Sequence, residues 1–186
     1  MTSILKADNI QDADGNNIIN ESGNTITIGA SGDTTNVIGT LNKDGVAVAN
    51  TPMFSAYING NQSISNNTAT TVAYNTEVFD TGSDFNNSTY KWTVPETGKY
   101  FMNVRMAYDS SADFFSSFQI VKDGVGDMFS VQMAHDNTSD TITGSLVLSL
   151  TASDVYYVQT TQTSGGSLNL IGNHQNSEFS AFKLIE

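Results

Sequence analysis

Residues 84–106 read DFNNSTYKWTVPETGKYFMNVRM. After Gly98 the chain alternates, with Tyr100, Met102, Val104, Met106 and Tyr108 on one side and Phe101, Asn103, Arg105 and Ala107 on the other. A period of two predicts a long β-strand with one face in a core. The preceding Val94-Pro95-Glu96-Thr97-Gly98 predicts a tight turn in which Pro95 fixes φ and Gly98 supplies a positive φ. The stretch therefore predicts a strand, a turn and a second, longer strand.

Outward from this stretch, strand-like runs recur from Met53 onward. They are MFSAYI, TTVAYNTEVF, TYKWTV, GKYFMNVRMAY, FFSSFQIVKDG, DMFSVQMA, TITGSLVLSL, DVYYVQTT, SLNLIG and EFSAFKLIE. Ten such runs and no helical pattern predict an all-β protein, an antiparallel sandwich. A domain of this length buries about two thirds of its surface, enough for stability without crosslinks. The chain has no cysteine, so disulfides and thiolate metal sites are excluded.

Seven Lys and Arg against nineteen Asp and Glu give a formal charge of −12. Such a surface repels phosphate backbones and anionic lipid, so no nucleic-acid partner is expected. The most apolar run, GSLVLSL at 144–150, is too short to cross a bilayer, so no membrane insertion is expected. The opening MTSILKADNIQDADG has no apolar core of a secretory signal, which predicts a protein made in a cytoplasm.

Every Phe, Tyr and Trp lies after Thr51. Residues 1–50 consist of short phrases such as GNNIIN, GNTITIGA, GDTTNVIG and DGVAV, rich in β-branched residues, Asn and Gly. Alone they cannot close a core, because the apolar residues are small and the strands short. Partners from two further copies would make a slender three-chain stalk with Ile26, Ile28, Val37, Ile38 and Leu41 along its axis. The boundary is placed at Asn50-Thr51-Pro52, which divides a β-rich arm, 1–50, from a globular domain, 51–186.

The spacing around the opening stretch is more specific than its periodicity. Five residues separate Tyr74 from Asp80, four separate Asp80 from Phe85, six separate Phe85 from Trp92, and five separate Trp92 from Gly98. Tyr100, Met102 and Val104 then follow at alternate positions. This ladder resembles the signature of the globular head of complement's first component, subcomponent q, a relative of the tumour necrosis factor fold. Asp80, Phe85, Gly98 and Tyr100 agree in residue type. Tyr74 and Trp92 stand where that family has Phe, and Met102 and Val104 where it has aromatics. FSAYI at 54–58 resembles the family's first strand and EFSAFKLI at 178–185 its last, with Ala181 replacing a Gly. The resemblance covers Met53 to Glu186. It implies a ten-stranded jelly roll that assembles as a homotrimer, with the signature residues in its core.

The residues give separate grounds for self-association. DVYYVQ and EFSAFKLI carry apolar side chains on both faces, which calls for a second partner. Phe54, Tyr156, Val158, Phe179, Phe182 and Leu184 are the expected trimer-interface residues. The strand-repeat arm leading into a knob resembles bacteriophage fibre and appendage proteins, on the opening ILKADNIQDADGNNIINESGNTITIG. That resemblance implies a virion location, attachment to other virion proteins through residues 1–50, and a knob facing a host surface, on tail or head.

Catalysis is not expected. His135-Asp136 and abundant serines offer the residue types of a triad, but HDNTSD reads as an exposed turn and His174 as a loop residue. Asp109 and Asp113, and Asp123 and Asp127, bracket short runs that lack the ligand ladder of a calcium loop, although some complement-like heads carry calcium. They read as solvated turns. No metal and no cofactor are expected. Asn61 and Asn87 open Asn-X-Ser/Thr triplets, which matter only on a secretory route. A host-surface glycan suits a chain rich in Tyr and amide side chains, without singling out a residue. A soluble bacterial lectin or adhesin with a complement-like head is the alternative. A sugar-cleaving enzyme would need paired carboxylates across a cleft.

Overall fold

A computed structural model describes residues 51–110, 113–136 and 141–184 continuously, with shorter stretches of the first fifty. The chain divides into two compact units, Met1–Val48 and Ala49–Glu186. In the first unit, β1 (Asn9–Gln11), β2 (Asn17–Ser22) and β3 (Thr25–Ile28) form an antiparallel meander. β4 (Asn42–Lys43) and β5 (Val46–Ala47) form a short hairpin.

The second unit contains β6 (Met53–Tyr57), β7 (Gln62–Ile64), β8 (Thr70–Thr71), β9 (Thr76–Asp80), β10 (Phe85–Asn86) and β11 (Lys91–Thr93). There follow β12 (Gly98–Asp109), β13 (Phe114–Lys122), β14 (Gly126–His135), β15 (Thr141–Leu150), β16 (Val155–Gln162), β17 (Leu168–Leu170) and β18 (Glu178–Lys183). They build two antiparallel sheets. One runs β10-β11-β16-β13-β14, with β8 also on β16. The other runs β7-β17-β12-β18-β6-β9, with β15 along β12. No helix occurs among the described residues.

The core lies between the sheets. From β12, Tyr100, Met102, Val104, Met106 and Tyr108 all enter it at 0 % exposure. Phe54, Ala56, Phe179 and Ala181 join them from the same sheet, and Phe114, Phe118, Ile120, Tyr156 and Val158 close the core from the other. Trp92 sits where four rings meet, with centroids 5.1 Å from Phe54, 5.3 Å from Tyr100 and 6.4 Å from Tyr156. Gly144 on β15 is required by close approach. A Cβ there would come within 2.7 Å of Val131, 2.9 Å of Phe118 and 3.0 Å of Phe129.

Three local expectations are corrected. TTVAYNTEVF is two strands, β8 and β9, because the chain crosses between sheets there: β8 pairs with β16 and β9 with β6. Val72 and Tyr74, in the crossing, stay in the core at 0 % exposure. The strand expected at TYKWTV starts only at Lys91, since Tyr90 is left-handed at φ 61°. Gly98 is not a positive-φ residue; it opens β12, and the Lys183 side chain lies where its Cβ would be. That lysine's Nζ reaches Glu96 Oε2 at 2.7 Å, which closes the turn from outside.

Buried polar groups are paired across this core. Tyr108 Oη and Thr160 Oγ1 lie 2.7 Å apart, and Thr160 Oγ1 donates to Ser117 O at 2.7 Å. Tyr100 Oη donates to Glu96 O at 2.9 Å, tying β12 to its own turn. Burial pushes the phenols of Tyr100 and Tyr108 up to about 12, and raises Tyr74 still further. The unfolded chain releases these protons near the ordinary value of about 10. Stability therefore holds below about pH 10 and falls as pH rises towards about 12, where the unfolded state binds fewer protons than the folded one. Denaturant melts at pH 9, 10.5 and 11.5 should show this loss together with delayed tyrosinate absorbance. Complete tyrosine titration near pH 10 in a chain that stays folded would contradict the burial.

Candidate self-association face

The sheet β9-β6-β18-β12-β15 has one face in the core and one outside, and register sorts the outer face into three rows. The first row is Met53, Phe182, Phe101 and Val147, one residue from each of four adjacent strands. The second is Ser55, Ser180, Asn103 and Ser145, with Phe79 of β9 beside Ser55. The third is Tyr57, Glu178, Arg105 and Thr143. In the first row the Phe101 and Phe182 rings lie 5.2 Å apart, and Val147 is 53 % exposed. Four strands thus present a band of apolar side chains that their own chain leaves partly uncovered.

The third row is an ion cluster. One Arg105 guanidinium nitrogen donates to His174 O at 2.7 Å and to Glu178 Oε2 at 3.1 Å. Ser55 Oγ donates to Glu178 Oε1 at 2.8 Å. His174 Nε2 stands 3.6 Å from Glu178 Oε2, and its ring lies 5.6 Å from that of Tyr57. The cluster fixes the loop carrying His174 against β18 and gives the face a polar, directional end beside its apolar one.

Of the expected interface residues, Phe54, Tyr156, Val158 and Phe179 are 2 % exposed or less and belong to the core of their own chain. They cannot line a surface between chains. Alternation is the reason: on β18 Phe179 and Ala181 point inward, which leaves Phe182 outward. Phe182 does lie on the outer face, half-buried, and Leu184, also half-buried, follows the end of β18. Ile185 and Glu186 lie outside the described residues.

The signature residues have concrete roles. Tyr74, Phe85, Trp92, Tyr100, Met102 and Val104 fill the core. Asp80 is a loop clamp: its carboxylate accepts the N–H groups of Gly82 at 3.1 Å and Phe85 at 2.8 Å. Nearby Asp84 is raised above the usual carboxylate range, by burial first and then by Asp80 and Glu96.

His135 is corrected too. It ends β14, is 3 % exposed, and stacks on Phe114 at 4.1 Å and 3°. Its Nε2 lies 2.7 Å from Ser116 Oγ, also buried. A serine–histidine pair therefore exists, but it is sealed between sheets and presents no nucleophile to a substrate. The sequence signal for it was available, since His135 is in phase with the inward Phe129, Val131 and Met133. Asp136 is exposed, and residues 137–140 lie outside the described residues.

Asp123 pairs with Lys91 at 2.7 Å. Among the described residues no group of three or more His, Cys, Asp or Glu side chains converges as metal ligands, and residues 111–112 between Asp109 and Asp113 are not described. Asn61 Oδ1 accepts the Gly172 N–H at 3.0 Å.

Two antiparallel sheets with this strand order define a jelly-roll sandwich. A model of the C1q domain matches residues 53–184, and the chain belongs to that family. No curated protein sequence matches it. Among solved structures it is similar to the globular domain of zebrafish complement 1qA, at 18 % identity and TM-score 0.51, over 72 % of this chain and 97 % of that one. It is similar to Eiger TNF from S. frugiperda at 16 % identity and TM-score 0.52, over 72 % and 93 %. Murine APRIL is similar at 13 % identity and TM-score 0.55, over 71 % and 98 %. At these identities the likeness is one of fold.

Proposed function

We propose that the protein is a non-enzymatic homotrimeric fibre of a bacteriophage particle, with residues 51–186 as its knob and residues 1–50 as stalk and attachment arm. The observation that carries the trimer is the uncovered row Met53–Phe182–Phe101–Val147, which a neighbouring knob would bury. Phe129, Val131 and Met133 of β14 and Leu146 and Leu148 of β15 pack on the core yet remain partly exposed, which supplies a complementary apolar edge. Shape-matched burial of such surfaces is what holds obligate oligomers together.

A second row supports the stalk. Ile10, Ile19 and Ile28 face one another across β1, β2 and β3. They are 39 %, 37 % and 57 % exposed. An isoleucine band on one side of a three-stranded sheet is a surface that copies of the chain would cover. This set replaces most of the axis expected from sequence. Ile28 belongs to the band; Ile38 is 95 % exposed; Val37, Leu41 and the Ile26 side chain lie outside what is described.

The arm supplies attachment in this reading, because it has no aromatic residue and its apolar side chains are small and β-branched. Residues 52–186 alone are expected to remain a folded trimer yet fail to enter particles. Residues 1–50 fused to an unrelated trimeric protein are expected to enter instead. Particle incorporation scored by immunoblot tests this, and a truncated knob that enters particles at normal occupancy would reverse the assignment.

A further inference from the structure

The other sheet carries a different outer face. Phe115, Ser117 and Gln119 of β13, Ser130, Gln132 and Ala134 of β14, and Gln159 and Thr161 of β16 point away from the core. Register sets Gln132, Ser117 and Thr161 in one row, and Ser130, Gln119 and Gln159 in the next, followed by Thr71 of β8. None of these positions is charged, in a chain of net charge −12. Gln119 Nε2 donates to Ser117 Oγ at 2.9 Å. Among the described residues, the side chains of Ser130, Gln132, Gln159 and Thr161 make no hydrogen bond within the protein, so their donors and acceptors point to solvent.

An aromatic ring stands at each end of the array. Phe115 is 63 % exposed, while its backbone is held by Thr163, whose N–H donates to Phe115 O at 2.9 Å. Tyr157, paired with Val121, lies half-buried under the Lys91 ammonium, 5.0 Å from the ring centroid. Phe115 and Val121 are six residues apart on one strand, so the array spans roughly 20 Å at about 3.3 Å per residue.

We propose that this face binds a neutral oligosaccharide chain. Amides and hydroxyls both donate and accept, as sugar hydroxyls do. The exposed Phe115 ring takes the apolar C–H face of a sugar as it takes other apolar surfaces. The two rows between the rings carry no cation, Lys91 at the Tyr157 end is paired with Asp123 at 2.7 Å, and the chain's net charge repels a sulfate or uronate. A protein partner would need an apolar centre with a polar rim, whereas here the centre is polar. Strands of a packed sheet hold the array rigid before binding, which limits the ordering cost. The inference deepens the fibre reading above by giving the knob a host-surface ligand, and rests on that reading.

The test uses the intact protein in affinity gels containing a mannan, a galactan or a β-glucan, beside a sulfated galactan and a polyuronate, together with binding to host cells. The expected result is retardation by at least one neutral polymer and by neither anionic one. Phe115→Ala, and separately the double variant Gln119→Ala/Gln159→Ala, should weaken that retardation tenfold or more while melting temperature and mass stay unchanged. Neutral-polymer binding that ignores both variants puts the glycan elsewhere and overturns this face. Retardation by anionic polymers alone overturns it as well. Host-cell binding without retention by any polymer overturns the glycan inference and leaves the surface reading standing; absence of both sinks the two together.

Discussion

Replacing Trp92 by alanine should lower the unfolding free energy by about 3–5 kcal/mol, the range for large aromatic deletions in packed cores. The indole is 2 % exposed and is ringed by Phe54, Tyr100 and Tyr156. Those neighbours come from β6, β12 and β16, so the cavity would open where both sheets meet and neither could collapse into it alone. For a unit of this size the melting temperature should drop by roughly 10–20 °C. Denaturant titration of the knob checks the value. A loss under about 1 kcal/mol would mean that the ring is not a core element.

Phe101→Asp should do the opposite kind of damage, leaving the knob folded while its mass falls from three chains to one. Phe101 points away from the core and is partly exposed, so its loss opens no internal cavity. In an assembled trimer the new carboxylate would sit in the apolar row between Phe182 and Val147. Burying an unpaired charge there costs several kcal/mol. Each 1.4 kcal/mol weakens association about tenfold, so the variant should associate about a hundredfold or more weaker than the parent. Thr161→Asp, on the other sheet, is the matched control and should leave the mass at three chains. Equal masses for both variants would take the self-association face away from Phe101.

Much of the fold was legible because β12 announces itself. Burial alternates cleanly from Lys99 to Met106, and the spacing from Tyr74 to Val104 adds a pattern specific to one family. Legibility failed where a strand leaves its sheet. TTVAYNTEVF is continuous in composition, yet Val72 and Tyr74 lie between two pairings, and composition does not record a change of partner. It also failed at phase. Residues 155–162 are equally mixed on both sides, Tyr156 and Val158 with Thr160 and Gln162 on one, Val155 and Tyr157 with Gln159 and Thr161 on the other, so polarity does not separate the core side from the outer one. Buried hydrogen bonds let the first side face inward: Gln162 Nε2 donates to Ile64 O at 3.0 Å, and its Oε1 accepts the Ser164 N–H at 2.7 Å. The candidate sites were the least legible. Met53, Phe101, Val147 and Phe182 form one row, and Gln119, Gln132 and Gln159 one patch, only through cross-strand register. Residues so far apart in the chain leave no local motif.

Sedimentation equilibrium of the intact protein, followed through serial dilution, tests the trimeric knob most directly. The expected mass is three times the 19.9 kDa chain, unchanged down to micromolar concentration. A folded species of one chain mass at that concentration would contradict the account, knob and stalk alike.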